Sequence, residues 1–186
     1  PLVEASAAYP EMERMVMGAS KTAHLAFRIF DPATKTRSEE AIARNLMDWG
    51  DVLLDAAERG VKVRVLLADF EPVMAHELHR VGWQNGRRLL DRAIQLPDDC
   101  PGSIDLLIAL HEGELGMAVR SALWLAVRAR LMKLIRSEPG AESSPGIRYN
   151  MLGARPRFMP PMRLWPATHH QKMMVVDGQT AGVGGN

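Results

Sequence analysis

Hydrophobic and polar residues alternate from Ala23 to Phe30, with Ala23, Leu25, Phe27 and Ile29 on one side and His24, Ala26, Arg28 and Phe30 on the other. A repeat of two residues predicts a strand, and Asp31-Pro32 ends it. The rhythm then lengthens. Ile42, Leu46, Trp49, Leu53 and Ala57 fall on one helical face, which predicts a helix running from a capping box at Thr36 and Glu39 to Arg59. Gly60 stops it. Val61 to Ala68 is a short apolar strand with two charges interleaved. Strand, helix and strand in this order predict a right-handed parallel crossover.

The same reading continues on both sides. A short helix is expected at Met12–Ala19, and another between Val73 and Ile94, broken near Gly82 or Gly86. Leu96–Gly102 reads as a loop and Ile104–Leu110 as a strand. The longest helix is expected over Gly116–Arg136. Val119, Leu123, Val127, Leu131 and Leu134 make its stripe, and Arg120, Arg128, Lys133 and Arg136 face elsewhere. Pro139–Pro145 is a loop, Ile147–Leu152 a strand, and Arg155–Pro166, rich in Pro, Arg and Met, an irregular segment. The end reads as a strand at Lys172–Val176, a turn at Asp177-Gly178 and a returning strand at Thr180–Val183. No internal repeat or low-complexity tract interrupts this order.

A length of 186 residues suits one domain with a real core. The 47% hydrophobic and 24% charged content is ordinary for a soluble globular protein. A formal net charge of +1 argues against a strongly basic nucleic-acid binder, though it leaves room for a local basic patch. Cys100 is the only cysteine, so no intrachain disulfide forms, which permits a reducing compartment. No apolar run approaches the roughly 20 residues that a membrane-spanning helix needs. Pro1-Leu2-Val3-Glu4 lacks a basic-then-apolar leader pattern and an initiator Met, which suggests a processed or trimmed terminus. The compartment stays open, with the cytoplasm or a membrane surface favoured.

The candidate chemistry sits at the end of the chain. His170, Lys172, Asp177, Gly184 and Gly185 recur at fixed spacing around a Val-rich strand. Each alone is bland: His-x-Lys fits any surface strand, and Asp-Gly any hairpin. Together they can hold and attack a phosphate without a metal or organic cofactor. Two residues apart on a strand, His170 and Lys172 would project from one face and reach one phosphate. An imidazole nitrogen can attack phosphorus and form a phosphohistidine. The ammonium brings three donors and a full charge. Asp177 can accept from a histidine's other ring nitrogen and fix its tautomer. The glycines let backbone approach the substrate.

This spacing resembles the HKD signature of the phospholipase D superfamily, His-x-Lys-x4-Asp-x6-Gly-Gly. The run Thr168-His169-His170-Gln171-Lys172 looks most like its phospholipid-acting branch. Asn186 falls in the variable slot and receives no role. Leu25–Pro32 and Leu53–Leu67 are similar to the family's first core strand and to the helix-Gly-strand unit after it. The resemblance implies an α/β fold, a mixed sheet with helices on both faces, as one half of a pseudo-twofold pair. It also implies that two HKD motifs build one active site, and that Asp177 often serves the histidine of the opposite motif.

Only one such motif occurs here, since the other histidines, His24, His76, His79, His111 and His169, have no Lys two residues on. The second histidine would come from another copy or from a further half of the same polypeptide. The chain therefore reads as a single N-terminal half, 1–186, truncated after its first motif, in which the resemblance makes His170 the nucleophile. The expected activity is hydrolysis or transfer of a phospholipid phosphodiester, of phospholipase D or cardiolipin synthase type, with peripheral membrane contact. The alternatives are a dimeric nuclease of the same superfamily, disfavoured by the near-neutral charge, and a non-catalytic phosphate-binding fragment.

Other features carry less. His76 and His79, spaced i,i+3, lack a third metal ligand and fit a solvated helix face. Arg148, Arg155, Arg157 and Arg163 fit an anionic head group or a solvated loop. Phe158, Met159, Met162 and Trp165 fit core packing or an apolar lip at a lipid interface. Phe70-Glu71-Pro72 lies where α/β sites tend to form, without an assigned role.

Overall fold

A computed structural model describes residues 5–110, 113–137, 147–150, 153–156, 163–166, 170 and 172–184. Its elements in chain order are α1 (Ala5–Met17), β1 (Thr22–Phe27), α2 (Glu39–Ala43), α3 (Trp49–Glu58), β2 (Lys62–Ala68), α4 (His76–Ala93), β3 (Ser103–Ala109), α5 (Met117–Ser137), β4 (Ile147–Asn150), β5 (Gly153–Pro156), β6 (Lys172–Val176) and β7 (Thr180–Val183). They divide into two compact units. One comprises Pro1–Ala68, Gly82–Ala109 and His170–Asn186, and the other Asp69–Val81 and Leu110–His169.

The first unit is an α/β layer on a five-stranded sheet of order β3-β2-β1-β6-β7. β1, β2 and β3 are parallel, as the strand-helix-strand pattern predicts, and β6 and β7 run antiparallel to their neighbours. Register makes rows across the sheet. Leu106, Val65, Leu25, Met174 and Gly182 form one, and Ile108, Leu67, Phe27 and Lys172 the next. Side chains in these rows share a face. Val16 from α1, Val52, Leu53 and Ala56 from α3, and Leu89 from α4 close over that face in one apolar core. Burying each large aliphatic side chain contributes about 1.5–3 kcal/mol, so this layer fixes the register of β6.

Several local expectations change. The helix expected from Thr36 to Arg59 is two helices. Asn45 takes a left-handed φ of 58° and interrupts it. Ser38 caps α2 by accepting from Ala41 N, and Asp48 caps α3 by accepting from Asp51 N. Thr36 instead donates its hydroxyl to Leu46 O at 2.6 Å. Gly60 ends α3 at φ 96°, as expected. Neither Gly82 nor Gly86 breaks α4. Gly86 lets the helix approach the sheet, because a Cβ there would lie 2.9 Å from Ile108 Cδ1 and 3.1 Å from Leu106 Cδ2. Ile29 lies past the end of β1 and is exposed.

Gly102 is a sharper constraint. A Cβ at this position would overlap the carbonyl oxygens of Ala57 and Val61 and lie 2.9 Å from Val61 N. These are backbone atoms that cannot rotate away. Gly102→Ala is expected to destabilise the fold by about 2–3 kcal/mol, read as a shifted urea midpoint at unchanged m-value.

In the second unit, α5 buries Trp124, Val127, Leu131 and Leu134 with Val73 and Leu164. Leu115 N donates to Leu164 O at 2.9 Å, and Arg120 pairs with Glu114 at 2.7 Å. Val119 and Leu123, expected in the buried stripe, are exposed. The stripe swings toward Trp124 because the large ring takes the packing position. β4 and β5 form a two-stranded antiparallel sheet that takes in Arg155 and Pro156. Of the segment expected to be irregular, 163–166 is so. The rest, with the Pro139–Pro145 loop, lies outside the described residues.

Candidate functional site

Lys172 opens β6 opposite Phe27, the last residue of β1. It stands where the parallel strands β1, β2 and β3 end, on the same face as the core. The residue is half-buried. Gly184 N donates to Lys172 O at 2.7 Å. A Cβ on Gly184 would lie 3.2 Å from Lys172 Cβ and 3.7 Å from its Cδ, so this glycine leaves space for the lysine stem.

His170 is exposed and precedes the strand. The two-residue alternation therefore governs Lys172 but not His170, because β1 ends at Phe27 and its pairing with β6 stops there. Chain geometry still keeps the two Cα atoms within about 7 Å. Gly185, Gln171, His169 and Asn186 lie outside the described residues.

The loop leaving β1 is pinned at this end of the sheet. Phe30 stacks on Phe27 at 5.7 Å and meets Trp49 edge-on at 6.2 Å. The buried Asn85 donates to Phe30 O at 3.1 Å. Arg92 holds Asp48, the α3 cap, with a two-pronged ion pair at 2.6 and 2.7 Å. Burial works to raise the Asp48 carboxyl, but the Arg92 guanidinium and the Asp51 and Gly50 amides outweigh it and hold it low. The sequence offered no local signal for Asn85 or Arg92, whose partners lie 55 and 44 residues away.

Asp177 stands in the β6–β7 turn, as its Asp-Gly pair predicts. It lies five residues beyond Lys172 along a strand rising about 3.4 Å per residue, so roughly 17 Å away. Asp177 and Gly178 take φ 53° and 67°, the left-handed pair of a tight hairpin turn. The carboxylate accepts from Thr22 N and Lys21 N at 2.8 Å and from Ser20 N and Ser20 Oγ at 2.9 Å. Asp177 N in turn donates to Thr22 O at 2.8 Å. The amides of Thr22, Ser20 and Lys21, with the Ser20 hydroxyl, hold the carboxyl well below the usual carboxylate range against a smaller opposing effect of burial. None of these partners is a histidine. Asp177 ties the β6–β7 turn to the segment entering β1.

A second polar cluster lies in the other unit. Asp69 and Glu71 are buried just after β2. Asp69 Oδ1 meets His79 Nδ1 at 2.7 Å, and His76 Nδ1 meets Pro72 O at 3.1 Å. Glu71 Oε2 accepts from Val73 N at 2.9 Å and from Met74 N. Burial pushes the Glu71 carboxyl up, while these amides and the nearby His79 pull it down. The cluster fastens the segment Asp69–Met74 to the first turn of α4. Among the described residues no group of three His, Cys, Asp or Glu side chains is placed to hold a metal.

The fold and site together define an α/β domain with a lysine and an exposed histidine at the end of a mixed sheet. No family model and no curated protein matches the chain. Among solved structures it is similar to NucT from Helicobacter pylori, at TM-score 0.36 and 12% identity over 92% of this chain. The chain spans about 60% of that protein's length.

Proposed function

We propose that this chain is one half of a phospholipase D-type phosphodiesterase, acting on phospholipids through His170. The observation that supports it is the position of Lys172 and His170, two residues apart in the chain. Lys172 and His170 stand together at the sheet end where β1 stops, one half-buried and the other exposed, while Gly184 clears the lysine stem. Lys172 would hold the phosphoryl oxygens. An imidazole nitrogen of His170 attacks phosphorus: a P–N bond forms, the P–O bond to the head group breaks, and the departing oxygen takes a proton. Water or an acceptor alcohol then breaks the P–N bond, gives up its proton, and returns the imidazole. The proton donor is the histidine of a second HKD half, from a second copy or the same polypeptide. Lys172, Gly184 and Gly185 form the phosphate cradle, and no metal or organic cofactor enters. Hydrolysis and transfer, and the cardiolipin synthase-like variant, share these steps.

The test is trapping. A phosphatidyl substrate labelled in its phosphate should leave an acid-labile label on His170, located by mass spectrometry of the quenched protein. Label acquired from single-stranded DNA but from no phospholipid would move the chain to the nuclease reading. Label from neither would leave a phosphate-binding fragment.

Gly184 gives a graded check. Gly184→Ala would press a methyl group against the Lys172 stem at 3.2 Å. The expected outcome is a loss of about tenfold in kcat/KM with little change in Tm.

A further inference from the structure

The outer side of α5 breaks the usual rule for a surface helix. Trp124, Val127, Leu131 and Leu134 face the core of their unit. A helix with one face buried normally turns charged residues to the opposite side. Here that side presents Ala118, Ala122, Leu125, Ala126, Ala129 and Met132, and only in its last two turns the charged Lys133 and Arg136, all exposed. At 100° per residue the six apolar ones cluster opposite the buried stripe. Leu125 is 77% exposed.

The charge on this helix is one-sided. Between Met117 and Ser137 it carries Arg120, Arg128, Arg130, Lys133 and Arg136 and no Asp or Glu, in a chain whose total is only +1. Arg120 is paired with Glu114. Lys133 and Arg136 are exposed at the C-terminal end of the apolar strip. Their placement there also complements the helix dipole, but that effect does not explain an uncharged, exposed Leu and Met strip beside them. The helix does not qualify as a membrane span.

We infer that α5 is a docking surface for an anionic lipid bilayer, lying in the membrane plane. Leu125, Met132 and the alanines would enter the acyl boundary, with Lys133 and Arg136 among the acidic head groups. Charge complementarity selects this occupant: an apolar strip on a helix that carries cations and no acidic residue fits a negatively charged interface. The inference gives the phospholipid reading a route to its substrate, and it rests on that reading only for its purpose, since the binding stands on α5 alone.

The experiment is co-sedimentation of the whole protein with vesicles of phosphatidylcholine and phosphatidylglycerol, against vesicles of phosphatidylcholine alone. Binding is expected to the mixed vesicles and to weaken with salt. The pair Lys133→Gln and Arg136→Gln should weaken it about fivefold per cation removed. The pair Leu125→Glu and Met132→Glu should abolish it, and circular dichroism and Tm will confirm that these exposed replacements leave the fold intact. His170→Ala should bind vesicles as the wild type does, which separates the surface from the chemistry. Equal binding to both vesicle types, or none to either, overturns the inference. So does a concentration-dependent dimer that the Leu125/Met132 pair breaks in the absence of vesicle binding, which would assign the strip to a second copy.

Discussion

His170→Ala is expected to lower phosphodiester turnover by about 10³-fold or more, with Tm unchanged. The side chain is exposed and lies outside the strand, so its removal leaves no cavity and breaks no ladder. Loss of turnover without loss of stability would therefore report on chemistry. The neighbouring lysine should behave differently. Lys172→Ala would remove charge stabilisation of the phosphoryl oxygens and also part of the packing beside Phe27, so both kcat and Tm should fall. A His170→Ala protein that retains wild-type turnover and still accepts phosphoryl label would refute the proposed nucleophile.

The second large effect is expected at Asp177, on stability. Its carboxylate serves four donors on Ser20, Lys21 and Thr22 and closes the β6–β7 hairpin onto the start of β1. Asp177→Asn keeps a residue that tolerates the left-handed φ of 53° but leaves one carbonyl oxygen to serve donors that two oxygens shared. A drop of several degrees in Tm should follow. The pH dependence has a definite sign. The folded carboxyl titrates below its unfolded value of about 3.9, so its stabilisation is complete above that pH and is lost as the pH falls below it. Thermal melts between pH 2 and pH 6 should show this acid-sensitive limb in the wild type and a flatter one in Asp177→Asn. The folded variant should keep most of its activity, because the carboxyl lies far from Lys172. A collapse of kcat at unchanged Tm would return Asp177 to the chemistry.

The contrast between these residues shows what was legible in the chain. The parallel strands and the hairpin followed from alternation and an Asp-Gly turn, because such signals are local and strong. The apolar run after Gln171 placed Lys172 at the start of the terminal strand. The partners of Asp177 were left open, because spacing fixes how far a residue lies along a strand but not which groups meet it. Those partners are 155 to 157 residues away in sequence. The same limit explains the split helix: Ile42 and Leu46 keep helical spacing across a break that Asn45 imposes. It also explains α5, where Val119 and Leu123 fit the apolar repeat but Trp124 decides which side turns inward.

β6 lies between β1 and β7, yet it is made nearly 150 residues after β1. Until it emerges from the ribosome, β1 presents an open row of amides and carbonyls on that flank. Late pairing of this kind slows folding and exposes a growing chain to aggregation. A polypeptide interrupted before residue 172 would therefore lack the lysine and also keep a sticky strand that its own sequence can no longer cover, making it a natural client for chaperones and proteases.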